Sequence, residues 1–322
     1  MLNLRILSSK PRTLRGLLAM LSASLLFSLM SVSVYALGVR HPELPTMTVS
    51  FFRIIINLAI LLLPALIRSR VPSLLGDMRP SLWLRGLFGS LALILSFISI
   101  QRIGPGEASF LGASSGVFVA LLGPKVLAQR NSGRIWAALA GSLAGLYLLL
   151  MPRADVSDEL GRLMALSSGL LSALAYLMVA RAGRSNPPGT VVFYFCAVAI
   201  PMHLAWFGVR GFKLPQEGDA WALLLLCGLA ASGAQVLMTR AYQESPAALV
   251  SAVSYATPVF NLAFGWLLFA KVPVGTALAG CAMILFCGVL LPFLSNHCSQ
   301  PSLPSGGRRK HMDKESRPRR WI

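Results

Sequence analysis

Residues 47–67 read MTVSFFRIIINLAILLLPALI, apolar almost throughout and interrupted by one cation, Arg53. A helix needs about 20 consecutive, mostly apolar residues to cross the hydrocarbon core of a bilayer, so this stretch reads as a membrane span. Outward from it the pattern recurs. Similar runs fall at 16–38, 82–101, 107–127, 134–151, 162–180, 190–209, 220–239, 246–269 and 273–294, separated by short polar or Pro- and Gly-containing breaks. Ten spans are therefore expected. Composition agrees: 55% of the 322 residues are apolar and 12% are charged, and the mean hydropathy is +0.68, outside the range of soluble domains. The N-terminal arm (1–15) and the tail (295–322) are too short and too polar to form a core. The expected fold class is an all-α integral membrane protein.

A net charge of +18 raises nucleic acid as a partner, but the basic residues are dispersed. With the N-terminus in the cytoplasm, the inner segments carry Arg5, Lys10, Arg12 and Arg15, then Arg68, Arg70, Arg79 and Arg85, then Lys125, Arg130, Arg134, Arg181, Arg184 and Arg240, and finally the basic tail. The outer loops carry Arg40, Arg102, Arg153, Arg162, Arg210, Lys213 and Lys271. This is the positive-inside bias of a plasma-membrane (inner-membrane) protein with both termini cytoplasmic. It makes the lipid bilayer, and no nucleic acid, the partner of the charge. Basic residues before the first span and VYALG at its end are features of a cleaved signal peptide. A signal core is about 7–15 residues, however, and this run is longer, so the helix is expected to be retained. Cys196, Cys227, Cys281 and Cys287 fall within spans and Cys298 in the tail, with no CxxC spacing. They read as small buried hydrophobes, and no metal or cofactor is implied.

Five spans per half is an odd number, so homologous halves would be inverted in the membrane. AALAG (137–141) and TALAG (276–280) open the last span of each half. IGPGEASFL (103–111) corresponds to QESPAALVS (243–251), and LSASLLFSLMSVSV (21–34) to LSSGLLSALAYLMV (166–179). The expected units are residues 16–151 and 162–294.

With FFR (51–53), Pro-Val-Phe (258–260), Gly265-Trp266 and the glycines of the last span, the chain resembles the drug/metabolite transporter superfamily, in its EamA-type branch of ten-helix permeases. The resemblance covers about residues 16–294. It implies two inverted five-helix repeats around a central cavity and transport of small metabolites, often outward, by alternating access. The family pattern commonly places a glutamate at the ends of the fourth and ninth spans; here those places hold Gln129-Arg130 and Lys271. Alignment of TVSFFR (48–53) with TVVFYF (190–195) puts Phe195 opposite Arg53, so the halves are chemically unequal.

In hydrocarbon a polar side chain must face protein or a wet cavity, so polar stripes mark inward faces. Helical spacing aligns Ser24, Ser28, Ser31 and Tyr35; Ser50, Arg53 and Asn57; Gly228, Ser232, Gln235 and Thr239; and Ser251, Ser254, Pro258, Asn261 and Gly265. Small residues at such intervals, including Ala108, Gly112, Gly116 and Ala120, equally let helices pack closely. The candidate substrate-binding or gating residues are Arg53, Asn57, Ser28, Glu107, Gln235, Tyr255, Pro258 and Asn261. For Gln235 and Asn261 an interhelical hydrogen bond is the alternative, and for Tyr255 an interfacial anchor. Pro258, roughly mid-span, frees the carbonyl of residue 254 and can kink the helix. His203 is either a packing residue or a proton carrier.

Arg53 has three readings. It binds an anionic group of the substrate, pairs with Glu107 as a gate, or ties backbone carbonyls together. Arginine at a helix centre costs roughly 2.5–3.5 kcal/mol on insertion, so any of these must offset that. The sequence has no GxxxxGK[ST] loop, which excludes ATP hydrolysis by a P-loop in this chain. A secondary transporter of a small-molecule metabolite is the first functional reading. A sensor or channel-like subunit is the alternative. A membrane enzyme would need a nucleophile with its base, a metal cluster or paired acids, and the sequence offers none.

Overall fold

Backbone N–H and C=O groups find no water in a bilayer core, so apolar runs of this length satisfy them internally as helices. The computed structural model describes residues 4–69, 71–103, 108, 111–129, 131–150, 158–269 and 275–287. Twelve helical segments lie among them. They are α1 (Leu4–Arg40), α2 (Thr46–Ile67), the single turn α3 (Pro72–Leu75), α4 (Pro80–Ile103), α5 (Ser115–Leu127), α6 (Gly133–Leu150), α7 (Glu159–Ala182), α8 (Pro188–Arg210), α9 (Gly218–Glu244), α10 (Ala247–Ser254), α11 (Ala256–Phe269) and α12 (Gly275–Leu285). Seven spans among the described residues are long and apolar enough to cross a membrane: α1, α2, α4, α7, α8, α9 and the α10–α11 pair. The other three expected spans correspond to α5, a shorter apolar helix, and to α6 and α12, which adjoin residues outside the described set. The molecule is an all-α integral membrane protein.

Two departures from the expected spans have physical causes. α1 starts at Leu4 instead of 16, its four cations Arg5, Lys10, Arg12 and Arg15 and its leucines being good helix formers that outweigh Pro11 and the serines there. The ninth span is two helices. α10 stops at Ser254 and α11 starts at Ala256, since Pro258 has no N–H for the Ser254 carbonyl. The Ser254 hydroxyl turns back to the carbonyl of Ser251 at 2.7 Å.

Loops alternate between two ends of the bundle, as antiparallel neighbours require. At one end the Ser245 hydroxyl donates to the Thr13 carbonyl (2.8 Å), Arg184 donates to the Leu127 carbonyl (3.0 Å), and the amide N–H of Ala247 donates to the Gln129 side chain (3.2 Å). The α3–α4 turn joins them there. Asp77 accepts from Ser185 at 2.6 Å and from Asn186 at 2.9 Å, and Tyr194 donates to the Leu75 carbonyl at 2.9 Å. At the opposite end His41 meets Asp219 at 3.1 Å and Arg102 meets Asp158 at 2.7 Å.

Packing partners come in matched pairs when the first half is exchanged for the second. α1 lies on α9 as α7 lies on α4, and α4 lies on α8 as α9 lies on α2. Two glycines make the match residue by residue. A Cβ on Gly86 would strike Val198 and the Tyr194 carbonyl, and one on Gly228 would strike Ile56. The step from 86 to 228 equals the step from 56 to 198, and also the step from 53 to 195 that aligned FFR with FYF. Both glycines permit close helix approach at equivalent crossings.

Candidate functional site

α2 presents Ser50, Arg53 and Asn57 along one buried face. The phenylalanines of FFR turn the other way. Phe51 packs edge-on to Phe207 at 5.3 Å and Phe52 edge-on to Trp221 at 5.0 Å, fixing α2 against α8 and α9. Ser50 meets Nε2 of His203 at 3.0 Å, and Nδ1 of His203 lies 2.8 Å from the Ala199 carbonyl. A carbonyl only accepts, so Nδ1 carries a proton; in the neutral ring Nε2 then accepts the Ser50 hydroxyl. His203 thereby ties α8 to α2 through both ring nitrogens.

Arg53 is 9% exposed and makes no hydrogen bond or ion pair with a described residue. Its electrostatic neighbours are Cys227, Cys196 and Tyr176, from α9, α8 and α7. Glu107, its expected gate partner, lies outside the described residues.

Arg85 corrects the sequence reading, which placed it among the cytoplasmic charges. It lies five residues into α4 and is 3% exposed. Its guanidinium sits 4.9 Å above the ring of Phe195, and its buried Nε has no hydrogen-bond partner. Gly89, one turn on, makes the room: a Cβ there would strike Nη1 of Arg85 and the Phe195 ring. The run RGLFG (85–89) carried that signal as a glycine four residues after the cation, whereas a charge count by loop could not distinguish Arg85 from Arg79. Burying an ion costs several kcal/mol, of which a desolvated cation–π contact offsets about 2. Arg53 and Arg85 are also neighbours of each other, which adds repulsion. Among the described residues no carboxylate pairs with either.

The remaining expected site residues divide. The Ser28 hydroxyl donates to Oδ1 of Asn261 at 2.7 Å, joining α1 to α11. Asn57 has a buried Oδ1 without a partner, as does the hydroxyl of Ser24, one turn before Ser28. Gln235 is buried on α9, and its backbone carbonyl accepts from the Thr239 hydroxyl at 2.7 Å. Tyr255 sits at the α10–α11 break, over Gly116, and donates to the Ala113 carbonyl at 2.7 Å, which ties the break to the α5 side. Tyr176 and Tyr242, unmarked by the sequence reading, stack at 5.0 Å and 14° beside the two arginines. His41, Glu217 and Asp219 bring three possible metal-ligand atoms within 4.8 Å. They lie at one end of the bundle, with both acids exposed, and His41 is engaged by hydrogen bonding to Asp219.

The interior of this multi-pass helical bundle thus holds two buried arginines and orphaned amide and hydroxyl oxygens. The chain belongs to the EamA-like transporter family, which matches residues 14–151 and again 159–294. It is similar to the pseudopaline exporter of Pseudomonas aeruginosa, 29% identical over 86% of this chain and 95% of that one. It is also similar to solute carrier family 35 member G1 of Mus musculus, 26% identical over 84% and 76%, and to the riboflavin transporter of Rhizobium johnstonii, 27% identical over 56% and 59%. One crystal structure aligns over 90% of this chain and 99% of its own, with a TM-score of 0.76 and 19% identity, and shares the fold. The protein is a membrane transporter of small metabolites.

Proposed function

We propose that the chain is a secondary transporter, not an enzyme. In this reading two inverted repeats, residues 16–151 and 162–294, rock about a central polar cavity and expose it alternately to either side of the inner membrane, with both termini in the cytoplasm. The single observation that carries this is Arg53, buried in the interior on a polar face and without a partner among the described residues. An unpaired interior cation is costly and is retained where a solute or gate uses it. Asn57, with its orphaned Oδ1, and Gln235 extend the solute-facing surface. The Ser28–Asn261 bond closes the interior between α1 and α11, the Tyr255 tie and the Pro258 break give the ninth span a place to bend, and Glu107 is the proposed outer partner of Arg53. Similarity to an exporter favours outward movement.

The test begins with an untargeted comparison of metabolites inside and outside cells with and without the protein. The leading metabolite is then followed in liposomes containing the purified chain. Saturable flux without ATP is expected. Flux that rises linearly with concentration indicates a channel, and a chemically altered product indicates an enzyme; either would overturn the reading.

A further inference from the structure

The geometry points to a substrate that carries at least two anionic groups, carboxylate or phosphate, held between Arg53 and Arg85. This deepens the proposal above and rests on it. α2 and α4 are consecutive and antiparallel; Arg53 lies seven residues from Thr46 and Arg85 five from Pro80. At 1.5 Å per residue the two are about 10 Å and about 8 Å from opposite ends of the bundle. Both side chains nevertheless count Tyr176 and Cys196 among their electrostatic neighbours.

The placement follows the matched halves. Arg53 has Cys227 as its leading electrostatic neighbour, and the Arg85 guanidinium sits over the Phe195 ring. The step from 53 to 195 equals the step from 85 to 227, so the two pairs of positions are equivalent when the halves are exchanged, and each includes one arginine. The cations therefore stand on either side of the interior, where a solute with an acidic group at each end can touch both. Among the described residues the surroundings supply no counter-charge: Cys196, Cys227, Tyr176 and Phe195 are uncharged, and no described carboxylate pairs with either arginine. The orphaned Nε of Arg85 leaves the Nε–Nη edge of its planar fork available for a bidentate anion. A monoanion neutralises one guanidinium and leaves the other unpaired.

Thermal unfolding of the full-length protein in detergent micelles tests this with citrate, succinate and phosphate as probes, against succinamide at equal ionic strength. Such anions also stabilise proteins by exclusion from their surfaces, an effect common to all variants, so the difference between parent and variant is the readout. At least one of the three anions is expected to raise Tm by several degrees more in the parent than in Arg53→Gln or Arg85→Gln, with succinamide inert and Arg85→Lys keeping part of the gain. Without ligand, Arg85→Gln is expected to unfold at the same or a higher temperature, because it removes an unpaired buried charge. Equal anion shifts in parent and variants, an equal shift from succinamide, or early unfolding of ligand-free Arg85→Gln would each overturn the proposal. Anion binding through both arginines without flux would contradict the transporter reading alone. Saturable flux without these shifts would contradict the dianion alone.

Discussion

His203 has both ring nitrogens committed, Nδ1 to the Ala199 carbonyl and Nε2 to the Ser50 hydroxyl. Uptake of a proton would reverse the bond with Ser50, Nε2–H then donating to the hydroxyl, and would place a third cation near Arg53. His203→Gln is therefore expected to leave the shape of the pH profile of transport unchanged between about pH 5 and 8, the range in which an unperturbed histidine titrates. Disappearance of a pH-dependent step in the variant would make His203 a proton carrier instead. Arg53 and Arg85 show what the sequence could and could not convey at this scale. Arg53 stands in the body of an apolar run with no acid near it, so its anomaly was visible. Arg85 lies close to the start of its span, beside the loop arginines, and only the geometry of α4, Gly89 and Phe195 separates it from them. The partners of Ser28 and Tyr255 were likewise out of reach, because they lie on helices far along the chain.

The α3–α4 turn is held to the α7–α8 loop by Asp77, whose carboxyl lies below the usual range because Ser185 and then Asn186 donate hydrogen bonds to it. A carboxylate whose folded pKa is depressed adds stability above its unfolded value, near 4, and loses it as the pH falls through the lower folded value. Asp77→Asn is accordingly expected to lower Tm at pH 7, with the gap to the parent closing as the pH drops below about 4. A gap that stays constant with pH would remove the charge from the account. At this scale the apolar periodicity and lengths placed most helices within a few residues, since satisfaction of the backbone in lipid leaves few alternatives. Helix ends were less legible. The extension of α1 to Leu4 depends on helix propensity outside the membrane. At the ninth span a kink at Pro258 was legible, whereas the full interruption at Tyr255 was not.

Across the whole molecule, the matched crossings Gly86–Val198 and Gly228–Ile56 carry the inverted-repeat reading further than the short sequence matches did. Leucine coincidences between apolar helices are common, whereas equal steps in two independent contacts are not. If both crossings serve the same packing role, Gly86→Val and Gly228→Val should each destabilise by about 1–3 kcal/mol, as overpacking does, measured by unfolding in detergent. A large loss at one and none at the other would break the equivalence. The central claim is that an interior cation handles the solute during transport, and the most direct measurement is saturable flux of the identified metabolite in liposomes carrying the parent, Arg53→Lys or Arg53→Ala. The account predicts that Arg53→Ala abolishes most of the flux while Arg53→Lys retains a substantial part of it, with normal membrane insertion of both. Equal and mild losses in the two variants would contradict it.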